Sequence, residues 1–226
     1  MRRLAMSSSL LVYLEELEFT EVALSSRAET KDLAGSFRDE LESWERIFKR
    51  YREARHAIVH AEAIVAVRDQ ELDEITTSFG RALLAEVKGD RKSTLFRRFF
   101  SDSPSEFVRK PLRKQCEDTR DRIVPELNHL PDGSPLKAYA RPLAEAAQRA
   151  IDALDARAKI RADRASVALD VEEWKEGVNR LRVSTYAALL QIGNEKGLGK
   201  PFAKSFFRAA KRATSKGNPA AQADPT

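Results

Sequence analysis

Two stretches of this 226-residue chain interleave cations with aromatic rings: Leu95-Phe96-Arg97-Arg98-Phe99-Phe100, and Phe202-Ala203-Lys204-Ser205-Phe206-Phe207, the latter continued by Arg208, Lys211 and Arg212. Cations so placed hold phosphates, while neighbouring rings insert at a bilayer boundary or stack on bases. The pattern nominates Arg97, Arg98, Phe99, Phe100, Lys204, Phe206, Phe207, Arg208, Lys211 and Arg212 as an anion- or partner-binding set. The same spacing suits a plug, in which the rings close the end of a helix bundle and the cations form a solvated face that also favours helix C-termini. Burial of Phe99, Phe100, Phe206 and Phe207 decides between the two.

A second chemistry is metal binding. Glu-x-x-His puts two ligands on one helix face, as in di-iron four-helix bundles, and it occurs at Glu53/His56 and Glu126/His129. Glu53 and His56 fall off the apolar seam of their helix, however, and Glu126/His129 lies between Pro125 and Pro131 near a turn. No bridging Glu is marked in either half. His56 and His60 at i and i+4 lack an evident third ligand. No Gly-rich phosphate loop, nucleophile elbow or Cys-His pairing occurs. The expectation is therefore a non-enzymatic protein without cofactor, metal or small-molecule substrate, with a di-metal carboxylate bundle as a minor alternative.

The elements that must position these residues are helices. Only nine Gly and nine Pro occur, charged residues make up 33%, and Ala, Leu, Glu and Arg dominate, which is the composition of helices with one buried stripe. A first helix runs from Ser9 to about Arg27 with Leu10, Leu14, Leu17, Glu21 and Leu24 on one side. A turn follows between Ser25 and Ser36. The next helix carries Phe37, Leu41, Trp44, Phe48, Tyr51, Ala54, Ile58, Ala61, Val65, Arg68, Leu72, Ile75, Phe79 and Leu83 at alternating steps of three and four. That period, sustained, implies coiled-coil packing. Within it, Ala57 to Val67 is apolar on nearly every face and small enough for close approach, which points to a dimer interface or a central place in the bundle.

A third helix is expected from Pro104 or Pro111 to Leu130, kinked or broken at Pro125. After the turn at Pro131-Asp132-Gly133-Ser134-Pro135, a fourth runs from about Leu136, bent at Pro142, to Ile192, where Gly193-Asn194 stops it. Its buried side is expected to include Ala165 and Ala168, while Trp174, flanked by Glu172, Glu173, Lys175 and Glu176, is expected to be partly exposed. A basic helix from Pro201 to about Ala213 and a disordered tail, 214–226, complete the chain.

The order is short helix, long helix, aromatic-basic segment, given twice: Phe79 and Tyr186 stand 107 residues apart in matching contexts. This reads as an internal duplication, with units 1–103 and 104–213 forming one elongated antiparallel bundle or coiled coil. If the helices alternate in direction, both Phe segments fall at one pole. Charge sharpens this. Lys88 to Lys114 and Lys196 to Lys216 together carry +13 against a formal total of +5, so the rest of the chain is acidic at −8.

Cys116 is alone, no stretch is long and apolar enough to span a bilayer, and Ser7-Ser8-Ser9 interrupts any export-signal run, which together suggest a cytoplasmic protein. The expected role is structural or adaptor, associating with itself or a protein partner through long helix faces. The alternative is docking of the basic aromatic pole on an anionic membrane surface or nucleic acid.

Overall fold

The computed structural model describes residues 3–208. It is all-α and 80% helical, with no strand among the described residues. Eight α-helices are described: α1 (Leu10–Ser25), α2 (Gly35–Glu86), α3 (Thr94–Phe99), α4 (Pro104–Phe107), α5 (Leu112–Asp118), α6 (Val124–Asn128), α7 (Ala140–Glu195) and α8 (Gly199–Lys204). No helix among the described residues is long and apolar enough to cross a membrane. Backbone contacts divide the chain into two compact units, one drawn from Met1–Phe48 and Glu172–Thr226, the other from Lys49–Val171. Each draws on both sequence stretches, 1–103 and 104–213.

In the first unit α1 starts where the Ser9 hydroxyl accepts from the Val12 N–H. Its buried face is Leu10, Tyr13, Leu17, Thr20 and Leu24. The seam thus runs through Tyr13 and Thr20 instead of Leu14 and Glu21, because the Tyr13 ring meets Trp174 at 5.7 Å. Thr30 closes the turn after α1, its hydroxyl donating to Leu24 O at 2.8 Å. The chain then returns as α2, tied to α1 by Arg38–Glu21 at 2.8 Å and by Trp44 Nε1 donating to Leu10 O at 2.9 Å. The end of α7 runs parallel to α1: Tyr13 meets Trp174, Glu16 meets Arg182, and Glu29, beyond α1, meets Lys196.

In the second unit α2 and α7 run antiparallel, since Arg50 pairs with Asp170, Glu62 with Arg161 and Glu71 with Arg149. The core gathers Leu72, Phe79 and Leu83 of α2 with Phe96, Phe99, Phe100, Phe107, Cys116, Ile123, Leu127, Leu143 and Ala147. Gly80 permits one of its tightest approaches: a Cβ there would stand 2.5 Å from Pro104 Cγ.

Several expectations are corrected. The third helix is broken into α4, α5 and α6, and Pro125 acts by producing a π-turn, Thr119–Ile123, in which the Val124 N–H reaches back to Thr119 O. Proline supplies no N–H for the carbonyl four residues before it, and the wider turn absorbs the defect. Pro142 causes no bend, because it falls in the first turn of α7 where its N–H is not needed. Gly193-Asn194 does not end that helix, which reaches Glu195. There Gly193 lets Gly199 O and the Phe202 ring come close. Trp174 is buried at 8% exposure, while Ala165 and Ala168 are exposed.

Gly80→Ala is expected to lower stability by about 1–3 kcal/mol through overpacking against Pro104. Gly35→Ala, whose added carbon meets nothing within 4 Å, serves as the control. Urea unfolding of both checks this, and an unchanged Gly80→Ala midpoint contradicts the packing described.

Candidate functional site

The deciding rings are interior. In the second unit Ser93 caps α3 by accepting from the Phe96 N–H at 3.2 Å, and the helix turns Phe96 and Phe99 inward. Phe99 meets Phe79 edge-on at 5.2 Å, Phe100 lies 5.7 Å from both Phe79 and Phe107, and Tyr139 also packs on Phe79. Such tilted and edge-to-face contacts are the favoured aromatic geometries. Arg97 and Arg98 point outward, Arg98 pairing with Glu126 at 2.6 Å. Arg122, which the sequence did not nominate, donates to Phe99 O at 2.6 Å and so places a cation at the C-terminus of α3.

In the first unit α8 does the same for α7. Phe206 stacks edge-on with Phe202 at 5.1 Å, and Phe207 meets Tyr186 at 6.0 Å. Arg27 lies over the Phe202 and Phe206 rings and Arg182 over Phe207 at 5.1 Å, both as cation–π contacts. Arg182 is 3% exposed; burial opposes its charge, and Glu16 at 2.9 Å compensates. Arg208 pairs with Glu15, and Lys204 is exposed.

Arg97, Arg98, Phe99 and Phe100 belong to the second unit, and Lys204, Phe206, Phe207 and Arg208 to the first, so each segment is described within its own unit. Lys211 and Arg212 lie outside the described residues, as does the segment 214–226. The physical reason is topological: each Phe segment folds back on the end of its own long helix. Arg27 and Arg122 carried no local signal because their partners are remote in sequence. Arg182 did carry one, standing in the apolar stripe of Val178, Leu181 and Leu189.

A further polar group in the first unit carried no sequence signal. Asn179 and Lys175, 5% and 8% exposed, hold the chain before α1 by its backbone. The Leu4 N–H donates to Asn179 Oδ1 at 2.8 Å, Asn179 Nδ2 donates to Leu4 O at 3.0 Å, and Lys175 Nζ donates to Met6 O and Ser8 O. These bonds satisfy two polar side chains that would otherwise be costly to bury.

The metal candidates do not assemble. Glu53 and His56 are exposed on α2, the His56 and His60 rings lie 6.4 Å apart, Glu126 is engaged by Arg98, and His129 is exposed. Among the described residues no group of three or more His, Cys, Asp or Glu could hold a metal ion. An open cleft of about 520 Å3 is lined by Ile75, Ser78, Ala82, Leu136, Tyr139 and three further apolar residues. Its polar features are the Ser78 and Tyr139 hydroxyls, 3.3 Å apart, without a base to activate either.

Phe99→Ala and Phe206→Ala are each expected to cost about 3–5 kcal/mol, whereas Arg97→Glu leaves the denaturation midpoint within error. Glu16→Ala is expected to cost on the order of 3–5 kcal/mol by stranding a buried guanidinium. The double variant Glu16→Ala/Arg182→Met should recover most of that loss; equal losses in both would show that the charge was never the issue. The chain matches no protein-family model, no curated protein and no solved structure.

Proposed function

We propose that this chain is a non-enzymatic helical protein that self-associates through uncovered faces of its long helices. The observation that carries this is the Ala57–Val67 stretch of α2. Ile58, Ala61 and Val65 are buried within the second unit, yet Val59 and Val67 are 60% and 54% exposed, with Ala63 and Ala66 between them on the opposite side. Apolar residues at i, i+4, i+7 and i+8 form a helix-packing stripe, and small ones allow close approach. On α7, Leu169 is 66% exposed, and no residue from 155 to 170 is buried. The outer face of α1 repeats the theme with Leu11, Val12, Phe19 and Val22.

Internal duplication belongs to the same proposal. It is supported by the recurrence of long helix followed by inward-folded Phe segment, and by α1 running parallel to the end of α7. Coiled-coil pairing of α2 with α7 is supported by the three ion pairs in antiparallel register. A cytoplasmic setting accords with the lone, buried Cys116, whose thiol burial pushes up to about 11, well above the range of a reactive cysteine. Docking on an anionic membrane or nucleic acid would rest on Arg97, Arg98, Lys204 and Arg208 without help from the rings.

Sedimentation velocity over a concentration series is expected to show a dimer that Val59→Glu/Val67→Glu converts to a monomer of unchanged helicity. A monodisperse wild-type monomer at high concentration overturns the proposal. Parallel co-sedimentation with anionic vesicles and duplex DNA is expected to show no binding; salt-sensitive binding lost in Arg97→Glu/Arg98→Glu would favour the anionic-surface role.

A further inference from the structure

We infer that the interface between α2 and α5 is a binding site for an alkali cation, built from oxygen atoms of Asp73, Thr76, Gln115 and Thr119. Five buried side-chain atoms on these four residues have no hydrogen-bond partner: Asp73 Oδ1, Thr76 Oγ1, both amide atoms of Gln115, and Thr119 Oγ1. Thr76, Gln115 and Thr119 are completely buried. Buried polar atoms are almost always paired, and a group of them left unpaired asks for a guest.

The two helices present them as facing stripes. Along α2, Asp69, Asp73 and Thr76 stand at i, i+4 and i+7; across from them, Gln115 and Thr119 stand at i and i+4. Leu112 packs against the Val65 cluster, Asp69 lies near Cys116, and the Gln115 amide approaches the Asp73 carboxylate. That parallel register carries on to Thr76 and Thr119. Helical threonines ordinarily return their hydroxyls to a carbonyl three or four residues back. Neither does so here, so both hydroxyls remain available to the interface.

The donor set selects the guest. Gln115 Nε2 approaches the Asp73 carboxylate without completing a hydrogen bond, and the other unpaired atoms are all oxygen: a carboxylate, an amide carbonyl and two hydroxyls. Oxygen ligands suit hard s-block cations. Asp73 is the one carboxylate among the unpaired atoms, with Asp69 a turn away adding negative field; a single charged ligand among neutral oxygens does not replace the tightly held shell of Mg2+, whereas it suits Na+ or K+. Asp73 is half-buried, which gives the site an edge open to solvent. The site does not rest on self-association, since it shares no residue with the exposed Val59–Val67 stripe.

Thermal unfolding of the full chain, followed by circular dichroism in NaCl, KCl and choline chloride at equal ionic strength, tests this. The melting temperature is expected to be higher in NaCl or KCl than in choline chloride by on the order of 2–4 °C, saturating with concentration. Asp73→Asn and Thr119→Val should abolish the difference while keeping native helicity. Equal melting in all three salts, or a difference that survives both substitutions, overturns the proposal in favour of ordered water. Should Asp73→Asn fail to fold, Thr119→Val carries the comparison. Crystals soaked in thallium acetate should show an anomalous peak beside Gln115 and Thr119; its absence counts equally against the site.

Discussion

The fold depends on how each long helix ends. A helix of 52 or 56 residues cannot bury an apolar terminus by itself. Here the chain turns back and lays the next few residues, rich in Phe, against the helix's own last turns. Phe79 receives Phe99 and Phe100; Tyr186 receives Phe207. The contact is local, which makes its closure entropy small, and it supplies large apolar area per residue. The other core elements of each unit pack around its own closure: α4, α5 and α6 in the second unit, α1 in the first.

The closures make use of cations that the composition alone assigns to the surface. Arg122 caps α3 through carbonyl oxygens, and Arg182 spans Glu16 and the Phe207 ring. A basic segment can thus be basic for an internal reason, because guanidinium groups satisfy carbonyls and cover ring faces at once. This weakens any direct step from local charge to a nucleic-acid or membrane partner. It shifts attention to the apolar faces left uncovered on α1, α2 and α7, where no internal contact accounts for the residue type.

The buried polar groups differ between the units. In the first, Lys175, Asn179 and Tyr13 are occupied by backbone atoms of Leu4, Ala5, Met6 and Ser8. The first unit also leaves Thr20 Oγ1, Trp174 Nε1 and Arg182 Nε unpaired; in the second, buried atoms of Asp73, Thr76, Gln115 and Thr119 lack hydrogen-bond partners, and Thr119 opens the π-turn that precedes Pro125. A polar cluster at an irregular turn is where a helical interface departs from pure packing.

Periodicity alone determined that the chain is all-α and that α2 has a seam through Phe37, Ile58, Ala61, Val65, Leu72, Phe79 and Leu83, because a buried stripe recurs with the pitch of the helix itself. It also revealed the recurrence of the Phe segments, and that Ala57–Val67 is apolar beyond what one neighbour can cover. Tertiary structure alone decided that the Phe rings are interior, that the two segments belong to different units, and that Tyr13 and Thr20 line α1's buried face. It alone brought Gln115 beside Asp73. These outcomes depend on which faces meet once the chain has turned back on itself, and neither the spacing of apolar residues nor the sum of charges encodes such a meeting.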